Sequence, residues 1–376
     1  MNKWLVGLII AAVVLPLIIF VGNLKVEVPA EGHTIAQPTQ QGETANSDVQ
    51  ADNFPAAPEF VGISGWINSG PLKMADLKGK VVLVDFWTYT CINCIRTLPY
   101  LNSWYDKYSD KGLVIIGVHS PEFDFEKNTD NVKSAVEKYG VKYPVAQDND
   151  HSTWTAFRNN YWPHEYLIDI NGKIRHETIG EGGYDETEKN IQELLKERAG
   201  KMQQNETIPT AISQPDDVIG VNFSGIATRE IYLGYGFARA YLGNKEGFRP
   251  EEVVNYTASA GDSGMIPNIV YLDGSWKNNL DNLELTSGQG KILLTYTAKA
   301  VNIVAGQGQQ PSNLSVALDG VLLNATNSGS DVSNSAAEVG GQRLYNLVMD
   351  QAGYQTKTIE ITVKGSGFRI YTFTFG

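Results

Sequence analysis

Both cysteines of this 376-residue chain lie in one stretch, Val84-Asp85-Phe86-Trp87-Thr88-Tyr89-Thr90-Cys91-Ile92-Asn93-Cys94. An apolar run over residues 81–84 leads into it and predicts a strand buried on both faces. The residues that follow, with the clearest pattern over 98–108, predict a helix. Cys91 is therefore expected at the start of a helix, where free backbone N–H groups and the helix dipole favour a thiolate over a thiol.

The two-residue spacing between the cysteines indicates a chemical role. A disulfide that closes so short a loop restrains the unfolded chain very little, and a secreted protein held by disulfides would carry several cysteines. Structural zinc needs four ligands, but the sequence has no second cysteine pair and five scattered histidines. Haem attachment needs a histidine directly after the second cysteine, and that residue is Ile95. The sequence thus predicts a redox-active disulfide between Cys91 and Cys94, with no metal and no cofactor. Two inert core cysteines are the remaining alternative.

In this redox interpretation Cys91 is the exposed nucleophile and Cys94 is the buried resolving thiol. Asp85 ends the apolar run, so we expect its carboxyl to be buried and its pKa to be raised. A buried carboxyl at this position can exchange a proton with Cys94. The alternative is an aspartate at the strand edge that is exposed to water.

Further side chains are candidates for substrate contacts. Trp87 and Trp162 could form an apolar rim around the reactive sulfur, although single aromatic residues more often belong to a core. Glu122 follows a predicted strand and His164 follows a proline, and each is either a border of the site or an ordinary loop residue. That proline, Pro163, has no special role on the residues alone.

The N-terminus predicts a membrane anchor over residues 1–22. Trp4 to Gly22 carries no charge, and nineteen helical residues span about 28 Å, close to the thickness of a bilayer core. A cleavable signal peptide is the alternative, but its apolar part is normally about 7–15 residues long and no A-x-A site follows. Lys3 and Lys25 give almost no charge bias, so we place the catalytic domain outside the cytoplasm mainly because the N-terminal side is short. That location is the periplasm or the outer face of the cell membrane.

The rest of the chain divides into a flexible linker, residues 23–58, and two domains joined by a second linker, residues 201–215. Residues 59–200 alternate strand and helix patterns, and Asn171-Gly172 is a strong hairpin signal, so we expect a mixed sheet covered by helices. Residues 216–376 hold short apolar runs separated by turns, which predicts an all-β sandwich. The formal net charge of −12 disfavours nucleic acid as a partner.

Several motifs resemble known families. Asp85, with cysteines six and nine residues later, resembles the thioredoxin motif. A second motif is similar to the cis-proline strand of TlpA-type thioredoxins and reads Pro163-His164-Glu165-Tyr166-Leu167-Ile168-Asp169. Two further stretches resemble the extracytoplasmic half of DipZ-type proteins, namely Phe86 to Cys94 and the C-terminal Tyr371-Thr372-Phe373-Thr374-Phe375-Gly376. The resemblance implies a thioredoxin fold with an insertion, then a jelly-roll domain similar to carbohydrate-binding modules. It also implies that Asp85 is the buried acid and that Pro163 is cis.

These features together predict a membrane-anchored, extracytoplasmic thiol–disulfide oxidoreductase that acts on protein disulfides or dithiols. DipZ-type proteins carry a multi-helix membrane domain that supplies electrons, but here one helix is predicted, so the membrane or extracytoplasmic electron donor stays open. The Ile92-Asn93 dipeptide lacks the histidine of strong oxidants and favours a reductant. One alternative is a peroxiredoxin-type thiol peroxidase, because Thr88 lies three residues before Cys91, although the proline such a site needs is missing. The other alternative is a binding module in which residues 216–376 hold a cell-wall glycan or a protein partner.

Overall fold

The computed structural model describes residues 53–258 and 264–376. Within those residues no helix combines the length and the apolar character that a membrane crossing requires. The predicted anchor over residues 1–22 lies outside the described part of the chain. Two parts of the described chain differ in their architecture, and we call them the α/β region (residues 53–201) and the β region (residues 228–376).

The α/β region is a six-stranded mixed sheet with helices. Its elements are β1 (Gly65–Ile67), β2 (Val81–Trp87), α1 (Ile92–Tyr108), β3 (Leu113–His119), α2 (Thr129–Lys138), β4 (Val145–Gln147), α3 (Ser152–Ala156), β5 (His164–Ile168), β6 (Ile174–Ile179) and α4 (Tyr184–Lys201). The strand order is β1-β4-β3-β2-β5-β6, with β2, β3 and β4 parallel and β5 antiparallel to both β2 and β6. Every residue of β2 is buried, so the predicted central strand is confirmed.

The two faces of this sheet bury different cores, because successive side chains of a strand point to opposite faces. Leu83 of β2 and Leu167 of β5 pack with Cys94 and with side chains of α1, α2 and α4. Phe86 and Tyr166, at alternate positions of the same strands, pack on the other face with residues of the α3 segment. The face that carries Leu83 and Leu167 is therefore the face on which the cysteines lie, and we call it the cysteine face.

The β region contains strands that all pair antiparallel. They are β7 (Ile231–Tyr232), β8 (Val253–Tyr256), β9 (Val270–Asn278), β10 (Leu283–Leu285), β11 (Gln289–Ala298), β12 (Ala300–Gly306), β13 (Ser312–Leu318), β14 (Val321–Leu322), β15 (Ala336–Val339), β16 (Arg343–Met349), β17 (Gln355–Lys364) and β18 (Arg369–Phe375). A continuous path of paired strands runs β14-β13-β17-β11-β9-β10-β18-β12-β16 and curls around one large apolar core. The expectation of an all-β C-terminal part is confirmed.

The β region packs directly against the segment that carries the cysteines. One apolar cluster joins Ile92 and Phe123 of the α/β region to Val304, Leu344 and Tyr371 of the β region. Ile92 lies between the two cysteines, and its side chain is buried in this cluster. The segment that carries the cysteines is thus held on one side by its own sheet and on the other by the β region.

Gly117 of β3 is required beneath the cysteine face, and its replacement tests how tightly this part is packed. A Cβ atom at Gly117 would come within 2.8 Å of Trp87 Nε1 and 3.2 Å of a ring carbon of Tyr143. Because overpacking a tight core typically costs about 1–3 kcal/mol, we expect Gly117→Ala to lower the free energy of unfolding by that amount in urea denaturation.

Gly200 offers a matched control, because it lies in α4 with nothing within 4 Å of an added Cβ. Gly200→Ala should leave stability unchanged or raise it by about 0.4–1 kcal/mol. Equal stability of the Gly117→Ala variant and the wild type would contradict the tight packing.

Candidate active site

Cys91 lies at the N-terminus of α1 with its sulfur partly exposed. The backbone N–H of Cys94 donates a hydrogen bond to Cys91 Sγ over 3.2 Å. This N–H belongs to the first turn of the helix, where backbone donors have no partner within the helix. Cys91 therefore directly precedes the helix, at the position that the sequence predicts, with a backbone donor against its sulfur.

The Cys91 sulfur borders a cavity of about 410 Å³. The α/β side of this cavity includes Thr90, Asn93 and Trp162. Residues of the β region line the rest of the cavity, namely Thr228, Tyr232, Thr374 and Phe375. Ile226, two residues before the start of the β region, also lines it. Sequence reasoning did not predict that two regions would share this cavity, because these wall residues lie more than a hundred positions from the cysteines.

Cys94 lies behind Cys91 and is 1% exposed. Burial raises the pKa of the Cys94 thiol well above its ordinary value, and the neighbouring Cys91 and Asp85 raise it further. Both cysteines carry free thiols in this structure. One sulfur is thus accessible and the other is enclosed, which is the arrangement that sequential attack and resolution require.

Asp85 is 1% exposed on the cysteine face of β2. Burial raises the pKa of this carboxyl from 3.8 to about 7. Its Oδ1 atom has no hydrogen-bond partner among the described residues. Asp85 therefore changes its charge near neutral pH, next to a thiol whose ionisation it influences.

Glu165 is a second buried carboxyl that sequence reasoning missed. It lies directly opposite Asp85 in the β2–β5 pair and is 4% exposed. Burial raises the pKa of Glu165 well above its ordinary value, and the charge of Asp85 adds to this effect. A signal was present in the sequence, because alternation along β5 places Glu165 on the same face as Leu167 and therefore beneath the cysteines.

The Trp162–Pro163 peptide bond is cis, as the resemblance implies. The carbonyl of Pro163 accepts a hydrogen bond from the Gly180 N–H at 2.9 Å. Trp162 lines the Cys91 cavity, and its Nε1 donates to the Ser120 carbonyl at 3.1 Å. The structure thus brings Trp162 to the cavity, in the position expected of a rim residue.

Glu122 also lines the cavity, where its Oε1 accepts a hydrogen bond from the Tyr232 hydroxyl at 2.6 Å. Burial raises the pKa of Glu122 to about 8, with smaller contributions from Glu126 and Glu230. Glu126, another residue that sequence reasoning missed, accepts from the N–H groups of Glu122 and Phe123 at 2.6 and 3.0 Å. This carboxyl fixes the loop in which Glu122 meets the β region.

Two predicted substrate contacts do not line the cavity. Trp87 is fully buried, and its ring packs edge-on against His119 in the core. His164 lies on the face opposite the cysteines, where its ring contacts that of Tyr166 with the centroids 4.1 Å apart and the planes tilted by 32°. Alternation along β5 is the physical reason, since His164 and Glu165 must point in opposite directions. We therefore correct the predicted role of Trp87 and His164 as substrate contacts.

Comparisons with known proteins agree with this arrangement. Residues 55–177 match the AhpC/TSA family, and residues 228–376 match the family described as "Thioredoxin like C-terminal domain". The thiol–disulfide oxidoreductase YkuV of Bacillus subtilis is 30% identical over 140 residues, which are 37% of this chain and 94% of YkuV. This chain belongs to the thioredoxin-like thiol–disulfide oxidoreductases.

Other members of this family extend the similarity. The oxidoreductase ResA of Bacillus thuringiensis is 34% identical over 140 residues, which are 37% of this chain and 75% of ResA. Protein DipZ of Mycobacterium tuberculosis is 34% identical over 344 residues, and the match covers 91% of this chain. The similarity to DipZ includes both the α/β region and the β region of this chain. The matched part is 46% of the length of DipZ, so this chain spans about half of that protein.

The raised pKa of Asp85 predicts a pH-dependent stability in this oxidoreductase. The pKa of Asp85 is higher in the folded than in the unfolded state. The contribution of protonated Asp85 to the free energy of unfolding is therefore full below about pH 4 and is lost as the pH rises through about 7. Asp85→Asn cannot ionise, and its stability relative to the wild type should therefore rise between pH 5 and pH 8. A shift of this size corresponds to at most about 4 kcal/mol, measurable by urea denaturation.

Asp124→Asn is the control, because Asp124 is exposed and pairs with Lys127 at the surface. It should follow the wild type at every pH. A constant difference between Asp85→Asn and the wild type across this range would contradict the buried, titrating carboxyl.

Proposed function

We propose that this chain exchanges disulfides of protein substrates, with Cys91 as the nucleophile, Cys94 as the resolving thiol and Asp85 as the proton relay. The observation that carries the proposal is the pairing of one accessible sulfur at a helix N-terminus with one enclosed sulfur behind it. A backbone N–H donor at the first sulfur and a raised pKa at the second give the two thiols different tasks.

The proposed reaction has two steps. The Cys91 thiolate attacks one sulfur of a substrate disulfide, so that a mixed disulfide forms and the other substrate sulfur leaves as a thiolate. Asp85 then accepts the proton of Cys94, whose thiolate attacks Cys91 Sγ and releases the second substrate sulfur as a thiolate, which takes up a proton from the solvent. The substrate gains two electrons and the Cys91–Cys94 pair loses two. The Ile92-Asn93 dipeptide supports this reducing direction over its reverse.

The substrate segment is proposed to lie beside the Trp162–Pro163 peptide. An extended peptide could pair with the backbone at Trp162 in the manner of an added strand, and proline itself leaves no unpaired N–H there. Trp162 would contact this segment from the α/β side and Glu122 from the loop beside the β region. The substrate would thus enter between the two regions.

The wider setting is also proposed. Residues 1–22 would anchor the chain in the membrane and residues 23–58 would be a flexible linker. Residues 59–200 would be the redox domain, joined by residues 201–215 to a jelly-roll domain over residues 216–376. The uncharged stretch from Trp4 to Gly22 supports an extracytoplasmic location, where a membrane or extracytoplasmic partner would re-reduce the cysteines.

Cysteine variants test the order of attack. Cys94→Ala should accumulate a mixed disulfide with an oxidised protein such as insulin, because the resolving thiol is missing. Cys91→Ala should accumulate none, because the remaining sulfur is buried. Non-reducing electrophoresis and mass spectrometry of the conjugate measure both outcomes.

The double variant Cys91→Ala with Cys94→Ala is the control for non-specific adducts. Trapping through Cys94 alone would reverse the assignment. Rapid consumption of hydrogen peroxide by the wild type, without reduction of insulin, would favour the thiol peroxidase over the proposed oxidoreductase.

The anchor can be tested in cells that express the full chain. We expect the protein to stay with membranes during alkaline carbonate extraction, and protease added outside the cytoplasmic membrane should digest the part after the anchor. Replacing Ile10 and Val14 together by arginine should release the protein, because each charge in a bilayer core costs about 2.5–3.5 kcal/mol. Retention of this double variant in the membrane would count against the anchor.

A further inference from the structure

Three buried polar groups beside Cys94 have atoms without a hydrogen-bond partner among the described residues. They are Asp85 Oδ1, Glu165 Oε2 and the hydroxyl of Tyr143. Tyr143 is fully buried, and its pKa responds to the charges of Asp85, Glu165 and Cys94, so all four groups share one environment. Buried polar atoms almost always find a partner, and an enclosed water molecule is the usual one.

The sheet explains why these groups meet. Asp85 and Glu165 are direct partners in the antiparallel β2–β5 pair, where opposite Cβ atoms lie about 4.5–5.5 Å apart. On the other side of Asp85 its partner is Gly117, and the space above this glycine is filled by the rings of Tyr143 and Trp87. Asp85 is therefore enclosed between a second carboxyl and a phenol.

No positive charge balances this pair within the described part of the chain. The groups that influence the pKa of Glu165, besides burial, are the charge of Asp85 and a hydrogen bond from Thr187 of α4. Burial raises the pKa of Tyr184, also of α4, and the charges of Glu181 and Glu165 add to this effect, so its phenol carries no charge. Two carboxylates this close and this buried cannot both be ionised, because no cation of the described residues offsets their repulsion. One carboxyl of the pair therefore keeps a proton.

We propose that Glu165 is a positioning residue that keeps its proton and donates it, through an enclosed water molecule, in a hydrogen bond to the Asp85 carboxylate. The hydrogen bond stabilises the charged form of Asp85, which can then accept the proton of Cys94 at neutral pH. In this step one proton moves from Cys94 Sγ to Asp85, Glu165 retains its own proton, and no electrons are transferred. The inference rests on the proposed function of the cysteine pair.

Two variants of Glu165 separate this role from a merely structural one. Glu165→Gln keeps a neutral side chain with an N–H donor, so the pH dependence of the Cys94 step should stay that of the wild type. Glu165→Leu removes the donor, so the profile should move to higher pH by about one unit and the rate at pH 7 should fall about fivefold. The rate of release of a preformed mixed disulfide at Cys91, followed from pH 5 to 10, reports this step.

Glu177→Gln on β6 is the matched control. Glu177 pairs with Tyr166, whose side chain lies on the face opposite the cysteines, and its own side chain is about half exposed. This variant should leave the profile unchanged. In an Asp85→Asn background neither Glu165 variant should shift the profile, because both act through Asp85.

Two results would overturn the inference. A profile that moves to lower pH in Glu165→Gln would show that Glu165 is ionised and repels the Asp85 carboxylate. An unchanged profile in Glu165→Leu would remove the hydrogen bond from the mechanism.

An infrared measurement keeps the test independent of activity and of variant folding. The wild type at pH 7 should show the carbonyl absorption of a buried protonated carboxyl, and Glu165→Gln should reduce it. If the wild type shows this band but exchanges no disulfide, the proposed function fails while the protonated Glu165 stands. Absence of any difference in this band between the wild type and Glu165→Gln would contradict the inference directly.

Discussion

The hydrogen bond from the Cys94 N–H to the Cys91 sulfur is the contact on which the rest of the site depends. It exists because α1 begins at Ile92, directly after the partly exposed Cys91, and the N–H groups of the first turn of a helix have no partner within the helix. The same turn of helix carries Cys94 inward, over the buried strand β2. Accessibility of one sulfur and enclosure of the other are thus two consequences of a single helix start.

Enclosure has an electrostatic consequence of its own. The sulfur of Cys94 and the carboxyls of Asp85 and Glu165 face a core in which charge is costly. Protons therefore stay on these groups at pH values where they would leave in water. On the open side Glu122 shares this tendency, because burial raises the pKa of its carboxyl, although the hydrogen bond from the Tyr232 hydroxyl acts in the opposite direction. The cysteine pair is thus accompanied by buried carboxyls on both sides, and burial raises the pKa of each of them.

Sequence alone predicted what depends on neighbours along the chain. The apolar run before Asp85 gave the buried strand, and Asn171-Gly172 gave the β5–β6 hairpin, in which Gly172 has a positive φ of 79°. Alternation along β5 assigns His164 and Glu165 to opposite faces, so the sequence does contain the signal that favours Glu165 over His164 as a neighbour of the cysteines. Contacts between distant positions were out of reach, because the hydrogen bond between Glu122 and Tyr232 joins residues 110 positions apart.

Ile92 is buried against Val304, Leu344 and Tyr371. The C-terminal part is therefore packed into the redox centre and is not a separate domain that is merely linked to it. A residue between the two cysteines owes its environment to strands more than two hundred positions away. Exchange of the β region between relatives would also exchange the residues with which it lines the Cys91 cavity. Substitutions in one region at this shared cavity and cluster must therefore be compatible with the residues that the other region contributes.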